Sequence, residues 1–391
     1  MKKLKILKME RDSFLSPFIF RKAPHCDLLF VLTVLSISLF GTLMVFSAGY
    51  AYAHARYGDG AYFMKRQVIW LVIGLIGMLL ASYVKPAFWE GIAPILYILT
   101  LGLLLLVLII GFVGNGAKRW ISIGPLTIQP SEIAKISIIL ILSKYFSEYE
   151  KLALDRKNKR NTFIYGTLFP ILLMLIPIVL VMLQKHLSCI IILGVIGLIM
   201  IVASGAGLKY IYGFCAIGAA GVSALALFTD YTKERILVWQ NPEAYKLTGG
   251  WQTLQGLMAI GSGGLFGVGF GNSVMNHCYV SEPANDMIFA ILCEELGLIG
   301  ALSALILFGV LVFRGILIAF KAPTPFTRLA AFGISAKMAV QVLLNVAVVT
   351  NTIPNTGISL PFFSYGGSSL IMIFLEMGIL LSISRFSKIT K

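Results

Sequence analysis

The residues best able to do chemistry fall into four stretches of the chain. The first, residues 115–135, reads NGAKRWISIGPLTIQPSEIAK. Lys118 and Arg119 stand beside Trp120, and Gln129-Pro130-Ser131-Glu132 opens an apolar run. Proline suits the first turn of a helix, and a carboxylate there complements the helix dipole. Glu132 and Lys135 are three apart, so they share a helix face. Such a pair can simply neutralise itself in lipid. It can also face a cavity, because ionisable groups inside membranes are expensive and tend to have a partner or water. The second stretch, AIGSGGLFGVGFGNS (259–273), is dense in glycine. Glycines let backbone approach a ligand closely; a flexible surface loop is the plain alternative. Gln252 and Gln255, just before it, are candidate binding residues.

The third stretch, SEPANDMIFAILCEELGLIG (281–300), puts Asp286 where a polar segment meets an apolar run. Partial burial there raises a carboxylate pKa and makes it a better base. Asn285-Asp286 is equally the pattern of a helix cap. Glu294 and Glu295 follow ~12 Å along the helix by its rise per residue. They read as mainly structural, with Lys337 as a candidate partner for one of them. The fourth stretch, NTIPNTGISLPFFSYGGSSL (351–370), contains Pro354, Pro361 and Gly366-Gly367, which break helices. Ser364, Tyr365, Ser368 and Ser369 offer hydroxyls. Irregular backbone at membrane depth is tolerated where it lines a cavity, which predicts a re-entrant or site-lining turn.

Helices in lipid must hold these stretches. Of 391 residues, 58% are hydrophobic and 13% charged, and the mean hydropathy is +0.89. A soluble domain carries about 25% charged residues. Crossing a bilayer takes roughly 20 mostly apolar residues. Residues 28–55, 67–84, 91–117, 161–184, 186–208, 210–229, 296–313 and 338–375 contain no Asp, Glu, Lys or Arg. The last run is long enough to end one span, turn and begin another. A further span near 132–147 carries Glu132, Lys135 and Lys144. The expectation is an all-α, polytopic membrane protein of about ten spans. A basic tail (1–26) precedes one transmembrane domain (27–385), and 386–391 forms a short second tail. The longest non-spanning segment, about 230–286, falls between spans seven and eight.

The net charge of +15 reads as topology rather than nucleic-acid binding. Lys2, Lys3, Lys5, Lys8, Arg11, Arg21 and Lys22, with residues 144–160, supply most of the basic excess. By the positive-inside rule both termini are cytoplasmic and the 230–286 segment is outside. Arg56, Lys65 and Arg66 run against that rule. Ala51-Tyr52-Ala53 resembles a cleavage site, but the apolar run before it is too long for a signal peptide, and a retained span is expected. Cys26, Cys189, Cys215, Cys278 and Cys293 are odd in number with no CxxC, which supports neither a disulfide framework nor a zinc site. There is no HExxH, GxxxxGK[ST] or GxGxxG. No internal repeat is evident, which disfavours an inverted-repeat transporter.

QPSEIAK, the AIGSGG run, EELGLIG and LPFFSYGGSSL, in this order, resemble the SEDS family, which includes FtsW, RodA and SpoVE, over about residues 28–385. The overall pattern is most similar to the division and sporulation members. The resemblance implies an inner-membrane peptidoglycan glycosyltransferase. Such an enzyme polymerises lipid II into glycan strands for the septal wall, in division or sporulation, and releases undecaprenyl diphosphate. It implies a class B penicillin-binding protein as cross-linking partner, alongside other divisome proteins. It also implies that Asp286 is the catalytic residue, and that Arg119 and the Glu132–Lys135 pair matter for activity. Lys118, Trp120, Gln129, Gln252, Gln255, Ser364, Gly366, Gly367 and Ser368 are the remaining candidates for substrate binding. Two departures stand out. Many relatives carry a Q-P-D-L-G-T-like segment where this chain has Gln184-Lys185-His186-Leu187-Ser188-Cys189, and His-Thr where it has Ala284-Asn285.

The diphosphate is a good leaving group, so a single base suffices, unlike the paired carboxylates of most glycosidases. Asp286 would take the proton of the acceptor 4-hydroxyl. Arg119, with Lys118 or Lys135, would stabilise the departing diphosphate, with or without a divalent cation such as Mg or Mn. A lipid II flippase and a non-enzymatic division scaffold remain the alternatives.

Overall fold

The structure, a computed structural model, describes residues 27–114, 117–123, 126–154, 158–205, 230–247, 249–277, 279–280 and 282–387. The predicted span 210–229, the tail 1–26, and Cys26, Cys215 and Cys278 lie outside the described residues.

Apolar runs become helices because lipid offers backbone groups no hydrogen-bond partners outside the helix. In chain order these are α1 (Leu28–Tyr57), α2 (Tyr62–Tyr83), α3 (Pro86–Ile110), α4 (Pro130–Ala153), α5 (Lys159–Leu183), α6 (Leu187–Ala203), α7 (Asp230–Gln240), α8 (Gly250–Gly263), α9 (Ile288–Lys321), α10 (Pro325–Val349) and α11 (Gly367–Phe386). Among the described residues, seven are long and apolar enough to span a membrane: α1, α2, α3, α5, α9, α10 and α11. α4 has the length, at 24 residues, but carries Glu132, Lys135 and Lys144; α6 has 17 apolar residues. The chain is thus an integral, mainly helical membrane protein. α1 runs unbroken through Ala51–Ala53.

One part of the expected all-helical picture is corrected. The segment between α3 and α4 forms a small antiparallel sheet in the order β1 (Phe112–Gly114), β2 (Ala117–Ile123), β3 (Leu126–Ile128). Trp120 pairs with Phe112 and Ile121 with Ile128. The sheet carries Arg119 and Trp120 and delivers the chain to Gln129 at the start of α4.

α10 and α11 are the most enclosed of the seven spanning helices, and α2 and α3 the least. α10 packs on α4, α6 and α9, while α11 packs along α2. Two ion pairs are buried in this interior. Lys135 meets Glu132 at 2.7 Å within α4, and Lys337 of α10 meets Glu376 of α11 at 2.8 Å. Lys337 was expected to pair with Glu294 or Glu295; it pairs with Glu376 instead. Glu294 accepts from the Ser273 hydroxyl and from the Val274 (2.9 Å) and Met275 (3.3 Å) amides. Both oxygens of Glu295 accept from Ser47 of α1.

The glycine run packs backbone to backbone against α9. It locks a break in α9, where Gly297 takes φ 63°. Val268 and Gly269 donate to the Glu294 and Glu295 carbonyls at 2.9 and 3.0 Å, and Leu298 donates to Gly264 at 3.0 Å. A Cβ on Gly263 would overlap the Cys293 carbonyl, and one on Gly267 (φ +79°) the Glu295 carbonyl. Backbone touching backbone is what these glycines permit.

Candidate active site

Four helix N-termini point at one end of the bundle. The positions just before α4, α6, α9 and α11 are Gln129, His186, Met287 and Gly366, and none has a side-chain cap. Each leaves the positive end of a helix dipole and its unpaired N–H groups facing outward from the helix. Gln129, His186 and Gly366 line a shared cavity of about 600 Å³, as does Asp286 beside Met287. Pockets of this size hold small organic ligands.

Asp286 does not cap α9. The helix begins at Ile288 with no side-chain cap, so the capping alternative is set aside. Asp286 is instead presented to the cavity by bonds to its own backbone and its neighbours. Asn345 of α10 donates to the Asp286 carbonyl at 2.9 Å and to Ile358 at 2.6 Å. Ser364 donates to the Asn285 carbonyl at 2.7 Å, and the Tyr365 amide to Ala284 at 2.8 Å. The side chain is half-buried, and its Oδ1 is shielded with no hydrogen-bond partner among the described residues. Burial pushes the carboxyl up to about 6; Glu282 adds to the rise, and Arg235 opposes it. Gly357, at φ +72°, leaves room beside Oδ2, which would lie 3.4 Å from an added Cβ.

The irregular segment between α10 and α11 is a site-lining turn, as expected. Asn355, Thr356, Gly357, Ser359, Ser364, Tyr365 and Gly366 all line the cavity. Long-range bonds hold it. Ser188 of α6 donates to Thr356, Arg235 of α7 to Asn355, and Trp239 to Asn351 at 2.9 Å. Gln341 of α10 donates to Ser359 at 3.1 Å.

Arg119 lines the cavity and donates to the Lys185 carbonyl, while its Nε is shielded without a partner among the described residues. Glu132 lines the cavity too, bound by Lys135 and by the Ser369 hydroxyl at 3.2 Å. His186 projects from the turn before α6, and burial with the nearby Arg119 charge pushes its imidazole down to about 3.

Of the residues singled out by the motifs, Arg119, Trp120, Gln129, Glu132, Gln252, Asp286, Ser364 and Gly366 line the cavity. Lys118, Lys135, Gln255, Gly367 and Ser368 do not. Lys118 is exposed on β2, and Gln255 is buried along α8. Lys135 acts through Glu132. Gly367 is a packing residue whose Cβ would run into the Trp70 ring, and the Ser368 hydroxyl is buried without a partner. Arg235, Glu282 and His186 also line the cavity and were not in that set. Their segments are far apart, and only the sign of their charge or their polarity could have pointed to them. Among the described residues no three of His, Cys, Asp and Glu converge as metal ligands. Glu132 is engaged by Lys135, which leaves Asp286 and Glu282 as the cavity's other carboxylates, fewer than a dedicated all-protein cation site needs.

A helical membrane protein with a polar cavity built around one raised carboxylate is the class that fold and site define. The sequence profile of the FtsW, RodA and SpoVE family, described as "Cell cycle protein", matches residues 27–389. The chain belongs to this family. It is 39% identical over 366 residues to stage V sporulation protein E of Bacillus subtilis (93% of this chain, 98% of that one). It is 35% identical over 365 residues to a probable peptidoglycan glycosyltransferase FtsW of Geobacter metallireducens (93% and 95%). Among solved structures it is similar to a chain of a peptidoglycan synthase complex studied for the coordination of polymerization and crosslinking (TM-score 0.77, 27% identity, 93% and 98% covered). It is also similar to the rod shape determining protein RodA of Thermus thermophilus (TM-score 0.69, 27% identity, 93% and 98% covered).

Proposed function

We propose that this chain is a peptidoglycan glycosyltransferase that polymerises lipid II at the outer surface of the cell membrane. The observation that carries the reading is a single cavity in which uncapped helix N-termini and Arg119 face the half-buried Asp286, whose Oδ1 is unpartnered. One side suits a diphosphate and the other a base.

Asp286 in its ionised form takes the proton from the 4-hydroxyl of the acceptor sugar. The hydroxyl oxygen forms a bond to the anomeric carbon of the donor, and the bond from that carbon to the phosphate oxygen breaks. The electron pair leaves with the lipid diphosphate. In-line attack inverts the anomeric centre. The developing charge falls near Arg119 and the dipoles of α4 and α6, preorganised donors that need no rearrangement. The carboxyl at about 6 is basic enough to accept a proton in passing and is still mostly ionised at neutral pH.

Named relatives and the structural neighbour support a class B penicillin-binding protein as partner, with other divisome proteins at the septum. Ten spans with both termini inside, counting α4, α6 and the segment 210–229, would put Asp286 outside, where lipid II is used. A flippase calls for a polar route across the bundle. Lys337 and Glu376, with side chains 1% and 0% exposed, are instead closed in by packing.

The test is polymer formation by the purified chain, with and without the transpeptidase, from lipid II supplied in detergent. Wild type should make glycan strands and Asp286→Ala none. Precursor translocation in liposomes without any polymer would overturn the assignment.

A further inference from the structure

Histidine is the commonest general base, and His186 lines the same cavity as Asp286. Which ring nitrogen carries the proton decides between a base and a donor. Nδ1 lies 3.3 Å from the Ser131 hydroxyl. Ser131 is buried in the first turn of α4, with Cys189 as its other neighbour. With Ser131 as the donor, Nδ1 is the acceptor and the ring proton lies on Nε2. Nε2 has no partner among the described residues, and the ring borders the cavity.

The turn that carries His186 is held in an unusual shape. Lys185 sits at φ 53°, a left-handed conformation that costs a non-glycine residue energy. Arg119 braces it by donating to the Lys185 carbonyl. The Gln184 amide donates to Leu104 at 3.1 Å, fixing the other side of the turn. The strained residue, the brace and the Ser131 contact have one common result, which is to hold the imidazole at the cavity wall with Arg119. The unpaired N–H groups of α6 open in the same place.

We infer that His186 is a neutral N–H donor that, together with Arg119, holds a phosphate oxygen of the lipid-linked diphosphate. This rests on the polymerase reading of the cavity for its physiological ligand; the anion subsite itself is independent of that reading. With its lone pair turned to Ser131, His186 leaves the acceptor-sugar proton to Asp286. A neutral donor also leaves the subsite unchanged through the pH range in which Asp286 titrates. Lys135, Glu132 and Arg119 are the charged groups nearest the imidazole, and their joint effect with burial keeps it uncharged there.

The experiment compares wild type, His186→Gln and His186→Ala as full-length protein, in two assays. The first is binding of inorganic pyrophosphate to the purified protein, and the second is polymerisation of lipid II. Losing a hydrogen bond to a charged group weakens binding about ten- to a hundredfold. His186→Ala should weaken pyrophosphate binding and raise KM by that factor. His186→Gln, whose amide N–H can stand where Nε2–H stood and which cannot act as a base, should keep both within a few-fold. The pH profile of kcat should stay the same in both variants. Thermal unfolding of each variant separates a lost contact from a lost fold. Unchanged pyrophosphate affinity in a folded His186→Ala overturns the inference. So does a His186→Gln enzyme as inactive as Asp286→Ala, which would make His186 the base. His186-dependent pyrophosphate binding by a wild type that makes no polymer would sustain the subsite and sink the polymerase.

Discussion

Replacing Asp286 by asparagine should stabilise this protein while silencing it, and the structure says by how much and at which pH. The carboxyl titrates at about 6 in place of 3.8 because burial penalises its charge. That difference corresponds to ~3 kcal/mol of penalty on the ionised folded state. The folded pKa is raised, so the folded state holds the proton more tightly than the unfolded one. The penalty is absent below about pH 4, grows between about 4 and 6, and is complete above 6. Water in the open cavity screens part of it, leaving an expected gain of ~2 kcal/mol for Asp286→Asn at pH 7.5 and close to none near pH 4. Thermal or denaturant unfolding in detergent, run across this range for both proteins, reads the difference. Polymerisation runs the other way. Wild-type turnover should fall about tenfold per pH unit below 6, as the base becomes protonated, and Asp286→Asn should be inactive throughout. An asparagine variant no more stable at pH 7.5 than wild type would refute the claim that the carboxylate is held at a cost. An active one would refute its role as base.

Other outcomes follow from the same contacts. Arg119→Ala should lower kcat about a hundredfold, the size of effect seen when one preorganised donor to a developing anion is removed. Arg119→Lys should recover little, because a single ammonium cannot both hold the Lys185 carbonyl and face the anion; steady-state kinetics on lipid II decides both. Lys337→Met or Glu376→Met alone should cost about 3–5 kcal/mol by stranding a buried charge, and the Lys337→Met/Glu376→Met double variant should regain most of it; unfolding of all four proteins closes the cycle. Gly267→Ala should cost about 1–3 kcal/mol from its positive φ alone, with more from overlap at the Glu295 carbonyl, seen as lost folded yield and a lower Tm. Gly357→Ala should likewise cost about 1–3 kcal/mol from its positive φ and, by placing a methyl against Oδ2, also lower kcat, read by unfolding and by lipid II kinetics on the same preparation.

Uncharged runs made the helices legible because lipid leaves the backbone few other choices. The sheet between α3 and α4 was not legible, since its strands are short and their pairing depends on turns rather than on a buried alternating face. Gln129, Glu132 and Asp286 could be found because each sits where polar sequence meets an apolar run. Arg235, Glu282 and His186 could not, because tertiary packing alone brings α7, the approach to α9 and the turn before α6 to one cavity. Lys337 shows the same limit. Its partner Glu376 is 39 residues away on a helix that follows α10 only after the 351–366 turn, and no spacing rule links the two. The glycine run reads the same whether glycines serve a ligand or a backbone crossing, and only the kink at Gly297 decides for the crossing.

The two buried ion pairs have different consequences for how the chain enters the bilayer. Glu132 and Lys135 lie on one helix, so α4 can neutralise itself as it inserts. Lys337 and Glu376 lie on separate helices, and each entering alone would carry a bare charge into hydrocarbon at about 2.5–3.5 kcal/mol on insertion scales. α10 therefore gains its full stability in lipid only when α11 arrives, and the two are best delivered as a hairpin. The turn between them is the one that lines the cavity beside Asp286. Biogenesis of the last two helices and completion of the active site are thus a single event.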